Sequence, residues 1–426
     1  MSFDLILKGG ILPDGEVADI AIKGDRIAAI APALEAASAG QVIDIGGNLV
    51  SPPFVDPHFH MDATLSYGIP RINKSGTLLE GIGLWGELKP SLTHQAVFER
   101  ALSYCDWAVS MGLLAIRTHV DICDDRLLAV EALLAVKKQV APYIDLQLVA
   151  FPQDGFYRSK NARQNTLRAL DMGVDVVGGI PHFERTMADG SASVTELCEI
   201  AAKRSLMVDM HCDESDDPLS RHIEQLTYET QRLGLGKRVT GSHLTSMHSM
   251  DNYYVSKLLP LMAEAEVNVI ANPLINITLQ GRHDSYPKRR GMTRVKEMRA
   301  HGINVGFGQD CVLDPWYSLG TADMLDVAFM GLHVAQMTSP AEMRDCFDMV
   351  TTTSASIMGL DDYGLETGKK ASLVVLDAGN PIEAVRLRPD RLLVVAKGKI
   401  VAQRQKTQTR LSLAGRPDQI NRRHLL

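Results

Sequence analysis

The sequence predicts an α/β protein, a (β/α)8 barrel that carries a small β-sandwich formed from both ends of the chain. The first observation behind this is a rhythm. Short apolar runs begin near residues 54, 113, 145, 174, 206, 238, 267 and 304. Helical patterns, among them 97–110, 126–139 and 194–204, fill most of the gaps, and strands alternating with helices imply a parallel sheet. The second is size. Eight such units need about 250 residues, and the span 54–310 supplies them with an insertion. The third is the texture of the two ends. Residues 3–8, 17–23 and 26–31 read as short strands split by Gly-Gly, Asp-Gly and Gly-Asp turns, and 371–376, 392–396 and 400–401 repeat that pattern.

The expected organisation follows. Residues 1–50 and 366–403 form one composite β domain, 51–365 form the barrel, and 404–426 form a polar tail. The first strand interval is longer than the others, and its excess, the Gly-rich stretch 66–88, is expected as a loop at the barrel mouth. A chain of 426 residues exceeds what one hydrophobic core usually supports, so a large domain plus a small one is natural. The composition, 45% hydrophobic and 22% charged, is ordinary for a globular protein.

Several function classes are excluded at this level. The net charge is −7 and no long basic run occurs, which argues against a nucleic-acid partner. Lys288-Arg289-Arg290 is the one basic cluster, and it reads as a solvated loop. No apolar stretch is long enough to span a bilayer. The start, MSFDLILKGG, lacks the features of a signal peptide. The six cysteines are scattered with no CxxC pair, as in reduced thiols, so a cytoplasmic enzyme acting on a small molecule is expected.

In such barrels the active site lies at the C-terminal ends of the strands. The polar residues that close the apolar runs are therefore the candidates. Strand 1 ends in His58-Phe59-His60, strand 5 in His211-Cys212-Asp213-Glu214, strand 6 in Ser242-His243 and strand 8 in Asp310. Residues i and i+2 of a strand share a face, so His58 and His60 can share one ion. A single histidine at a strand end is more often a satisfied core residue. Four histidines and an aspartate at four separate strand ends point instead to a metal site. Imidazoles with a carboxylate suit zinc or ferrous iron.

The ordered set of motifs resembles the amidohydrolase superfamily and, more narrowly, the bacterial cytosine deaminase family. The resemblance spans residues 3–402. It is carried by Val55-Asp56-Pro57-His58-Phe59-His60, Arg117-Thr118-His119-Val120-Asp121, Val149-Ala150-Phe151-Pro152-Gln153 and Ile180-Pro181-His182-Phe183-Glu184. It continues through His211-Cys212-Asp213-Glu214, Ser242-His243, Asn272-Pro273, Gln280-Gly281-Arg282, Tyr286-Pro287-Lys288-Arg289-Arg290-Gly291 and Asp314-Pro315-Trp316.

The resemblance implies that His58, His60, His211 and Asp310 ligate one divalent ion, Fe2+ or Zn2+, whose Lewis acidity activates water. It implies that Asp310 and His243 help to deprotonate that water and that Glu214 shuttles a proton to the ring. Gln153 would grip the N1–O2 edge of a pyrimidine, with Leu78 and Trp316 covering the ring. The implied reaction is release of ammonia from a free nucleobase, cytosine or 5-methylcytosine, by a homo-oligomer.

Two features narrow this and one departs from the pattern. Strand 4 ends Val177-Gly178-Gly179-Ile180-Pro181 without a lysine to bridge two metals, which favours a mononuclear site. His182-Phe183-Glu184 and His222-Ile223-Glu224 fit half of another deaminase signature, but the P-C-x-x-C half is missing from the sequence. The departure is Cys311. Typical cytosine deaminases have a second aspartate after the metal-binding one. Cysteine there fits either tolerated drift or a pocket adapted to a C5 substituent. Another aminated heterocycle (isoguanine, isocytosine, a triazine or a cyclic amide) and a non-catalytic scaffold are the competing readings, the last disfavoured by the intact set of candidate ligands.

Overall fold

The computed structural model describes residues 3–420 apart from 36 and 38. The terminal sheet begins with β1 (Phe3–Ile11), β2 (Val17–Lys23), β3 (Arg26–Ala31), β4 (Ala39–Asp44) and β5 (Leu49–Ser51). The barrel strands are β6 (Phe54–Phe59), β7 (Leu113–Asp121), β8 (Asp145–Phe151), β9 (Val176–Gly179), β10 (Met207–Cys212), β11 (Val239–His243), β12 (Asn268–Ala271) and β13 (Val305–Phe307). Then β14 (Leu373–Leu376), β15 (Arg391–Ala396) and β16 (Lys399–Gln403) return to the terminal sheet. The expectations for residues 1–2 and 421–426 lie outside the described residues.

β6 to β13 pair in sequence order as one parallel sheet. The barrel closes at a parallel bridge between Phe59 and Asp310. Every residue of β7, β9, β11 and β12 is buried, as expected of strands covered on both faces. The terminal sheet runs β16-β15-β14-β5-β1-β2-β3, with β4 added beside β1. Its two ends are joined where β5 pairs antiparallel with β14. Side chains alternate across this sheet. Leu5, Leu7, Ile20, Ile22, Leu373, Val375, Leu393 and Val395 form its own core. The intervening Val374, Leu376, Val394 and Ala396 join the core of the barrel and its helices. One face thus holds the small domain together and the other fixes it to the barrel.

One expectation needs correction. The stretch 66–88 is not all loop, because Leu78–Leu88 is an α-helix. Thr77 caps it by accepting from Glu80 N–H, which satisfies a donor that a helix start leaves open. Of the three glycines that disguised the helix, Gly81 has a packing reason, whereas Gly83 and Gly86 face open space. A Cβ on Gly81 would lie 2.3 Å from Trp316 Cδ1, so only glycine lets that indole close against the helix. Trp85 Nε1 donates to Asp121 Oδ2 at 2.7 Å, and Lys89 Nζ lies 2.7 Å from the same oxygen. The helix is therefore tied to the end of β7, over the barrel mouth. After β16 the described tail, 404–420, has no helix or strand.

Candidate active site

The seam that closes the barrel also gathers the candidate ligands. Asp310 N–H donates to His58 C=O at 2.8 Å, and His60 N–H donates to Asp310 C=O at 2.9 Å. Two backbone bonds thus pin Asp310 between the two histidines of β6. Asp310 has φ +68° and His243 φ +72°, left-handed conformations that re-aim a side chain at a strand end. Gly308 makes the approach possible, because a Cβ there would meet Asn272 Oδ1 at 2.4 Å and His58 Cβ at 2.9 Å.

The side chains converge in the lumen. His60 Nε2 lies 2.9 Å from His211 Nε2 and 3.4 Å from Asp310 Oδ1. His58 Nε2 is 3.6 Å from Asp310 Oδ1. The donor atoms of His58, His211, His243 and Asp310 lie within 4.8 Å of one another, as do those of His58, His60, His119 and His211. Both ring nitrogens of His58 and Nδ1 of His211 are buried and lack a hydrogen-bond partner. Buried polar atoms are normally satisfied, so this donor set fits a divalent cation, which three imidazoles and a carboxylate suit. Burial holds His58, His60 and His211 well below the usual imidazole pKa, so each presents a lone pair at neutral pH.

The proton-handling candidates sit beside this cluster. His243 is pushed down to about 3 by burial, with Asp310 pulling the other way. Asn276 Oδ1 accepts from Asn272 N–H, which turns its amide nitrogen toward His243 Nδ1 at 2.9 Å. Asn272 Nδ2 lies 3.3 Å from the same nitrogen and 3.4 Å from Nε2, and Nε2 is 3.8 Å from Asp310 Oδ2. Glu214 lies 3.5 Å from His243 Nδ1. Burial, reinforced by Asp310, raises its pKa well above the usual carboxyl range.

Of the ten residues singled out in the sequence, all but His58 line one cavity. They are His60, Leu78, Gln153, His211, Glu214, His243, Asp310, Cys311 and Trp316. His58 lies fully buried beneath them. Ile82, Ile180, Phe183, Ile275 and Leu279 supply apolar wall, and His182 adds a further polar group. The Cys311 thiol is buried, 3.7 Å from Asp310 Oδ1, and burial raises its pKa so that it stays neutral. Sequence reasoning missed His119 as a member of the imidazole cluster. Its ring centroid lies 4.2 Å from that of His58.

A model of the amidohydrolase family matches residues 41–402. The chain belongs to the amidohydrolase family. As an amidohydrolase it is a hydrolase acting on C–N bonds. A solved structure of 5-methylcytosine deaminase from Klebsiella pneumoniae, liganded with 5-fluorocytosine, is 44% identical with a TM-score of 0.93, covering 95% of this chain and 99% of that one. N-isopropylammelide isopropyl amidohydrolase of Pseudomonas sp. (strain ADP) is 30% identical over 94% of this chain and 97% of its own length. The solved N-isopropylammelide isopropylaminohydrolase from Burkholderia multivorans is 27% identical with a TM-score of 0.83, covering 95% of this chain and 99% of that one. Among the described residues of this amidohydrolase, no helix is long and apolar enough to cross a membrane.

Proposed function

We propose that this amidohydrolase deaminates a free pyrimidine base, 5-methylcytosine or cytosine, to thymine or uracil with release of ammonia. The observation that carries the reading is the single cavity that joins the imidazole–carboxylate cluster to Gln153, Glu214, Cys311 and Trp316. The likeness to 5-methylcytosine deaminase supports it. His58, His60, His211 and Asp310 would hold one divalent ion, Fe2+ or Zn2+, which when bound supplies Lewis acidity.

The chain's own groups do the rest. The Gln153 amide offers a donor and an acceptor, which matches the N1–O2 edge of a pyrimidine. Glu214, kept protonated by burial, delivers a proton to the ring nitrogen beside the attacked carbon. Asp310 takes a proton from the attacking water, and neutral His243 orients it. Asp310 then passes the proton it took from the attacking water to the departing amine, so that the C–N bond breaks with ammonia leaving neutral, and the Glu214 carboxylate takes the proton of the new hydroxyl as the carbonyl forms. Trp316 and Leu78 cover the ring and exclude bulk water. The neutral thiol of Cys311 leaves space and no charge beside C5.

A second reading has its own observation. The 30% identical relative is an isopropyl amidohydrolase of N-isopropylammelide. One panel separates the two. Ammonia release from cytosine, 5-methylcytosine, isocytosine and isoguanine is measured beside isopropylamine release from N-isopropylammelide. The proposal predicts the highest kcat/KM for a cytosine. Turnover of the triazine alone would replace it with the second reading.

A further inference from the structure

The lumen below the candidate metal cluster holds charge where barrels of this kind usually hold branched aliphatics. Arg117 and Asp209 are both fully buried, and Arg117 NH1 donates to Asp209 Oδ2 at 3.0 Å. Ser242 Oγ donates to Asp209 Oδ1 at 2.7 Å. The remaining guanidinium nitrogens go to Gln147 Oε1 at 3.0 Å and to Ile357 C=O at 3.4 Å. A buried ion pair is weak evidence for stability, because well-packed apolar residues of the same volume often serve as well or better. The pair therefore calls for a reason other than stability.

Strand alternation supplies one. Arg117 and His119 are i and i+2 on β7, and Asp209 and His211 are i and i+2 on β10, so each strand sends both side chains into the lumen. His119 Nε2 lies 3.5 Å from Asp209 Oδ1. Its ring is wedged between the candidate ligands, tilted against His58 at 4.2 Å and edge-on to His211 at 4.6 Å, with an interplanar angle of 89° for the latter. His119 thus touches the carboxylate below and two ligand rings above. Metal-ligating imidazoles elsewhere depend on carboxylates behind them for their orientation.

We infer that Asp209 and His119 act as one positioning unit that fixes the ring orientations of His58 and His211 for the metal, with Arg117 and Ser242 holding Asp209 in place. The inference rests on the metal reading of the preceding section. His119 is a positioning residue, and its removal acts through the ligands.

The test measures metal binding rather than turnover. Metal-free wild type, His119→Ala, His119→Gln and Asp209→Asn are titrated with Zn2+ against a chromophoric chelator, and with Co2+ to record the visible d–d bands. Circular dichroism checks that each variant is folded. His119→Ala and Asp209→Asn are expected to bind Zn2+ about 10–100-fold more weakly, the usual cost of losing such a partner. Their Co2+ bands at saturation should shift, which a residue that only fills space would not cause. His119→Gln keeps an N–H for Asp209 and fills most of the volume. It stays readable should the alanine variant not fold, and it should recover part of the affinity. The double variant His119→Ala/Asp209→Asn should bind no more weakly than the weaker single one, because members of one unit are not additive. Folded variants with wild-type affinity and unchanged bands, or losses that simply add, would overturn the inference while leaving the metal reading intact. A wild type that binds neither Zn2+ nor Co2+ would overturn the metal reading, and this inference with it.

Discussion

The substitution Cys311→Asp tests the substrate preference most directly. The thiol is buried and 3.7 Å from Asp310 Oδ1, with Asp314 and Glu214 as further acidic neighbours. A carboxylate placed there meets Asp310 at close to 4 Å. Two unit charges at that distance repel by about 4 kcal/mol at the effective dielectric of a protein. That penalty falls on the site whichever pyrimidine is bound, so it cancels from a ratio of specificities. The methyl group does not cancel. Against cysteine it gains an apolar contact, whereas against a carboxylate it desolvates a polar group without a partner. One methyl-sized contact in a pocket changes specificity by about 1–3 kcal/mol, or roughly 10–200-fold. Wild type should therefore have a kcat/KM for 5-methylcytosine at least equal to that for cytosine, and Cys311→Asp should swing the ratio toward cytosine by about that factor. The assay is a pair of steady-state ratios at matched metal content. A wild type that strongly prefers cytosine, or a ratio that the substitution leaves unmoved, would refute the argument and make Cys311 plain drift.

Three further outcomes are expected. Glu214→Gln keeps the side-chain size but cannot carry the proton. It should retain its metal while kcat falls by about two to four orders of magnitude, and loss of metal on elemental analysis would mark Glu214 as a ligand instead. Removal of the ion by a chelator should abolish turnover, and Fe2+ or Zn2+ should restore it at one ion per chain, with a stoichiometry of two counting against the mononuclear site. Gly81→Ala would place a methyl 2.3 Å from Trp316 Cδ1. The indole must shift, at an overpacking cost of about 1–3 kcal/mol, so KM should rise with metal content unchanged, and an unaltered KM would remove Trp316 from the cover of the substrate.

Much of this was legible in the sequence because burial on both faces writes itself as continuous apolar runs. β6, β7 and β8 start at the expected residues, and β9 to β13 start within two residues of expectation. The strand-end rule singled out His58, His60, His211, His243 and Asp310 as candidates, and the structure gathers them. β4 was missed for the opposite reason. It is an edge strand, and its six residues Ala39–Asp44 are half-buried or exposed, so no hydrophobic period betrays it. The helix Leu78–Leu88 was hidden by Gly81, Gly83 and Gly86, which read as loop. Only the indole of Trp316, 235 residues further along the chain, explains the first of them.

His119 was overlooked although the signal that paired His58 with His60 was present in β7. Arg117 and His119 are also i and i+2, and the same alternation sends both inward. What the sequence could not supply is depth. Strands in a barrel are staggered, so residues from different strands share a layer only through register. The register pairs Asp209 with Thr240 and His211 with Ser242 on β11, and it pairs His119 with Val149 on β8. In the folded barrel His119 Nε2 lies 3.5 Å from Asp209 Oδ1 while its ring packs against those of His58 and His211. The seam works by the same logic. Asp310 is a candidate ligand because its backbone is hydrogen-bonded to His58 and His60 as the last strand meets the first. Closing the barrel and assembling the donor set are therefore one event. A change that loosens the seam, at Gly308 for example, perturbs the site even though it touches no substrate.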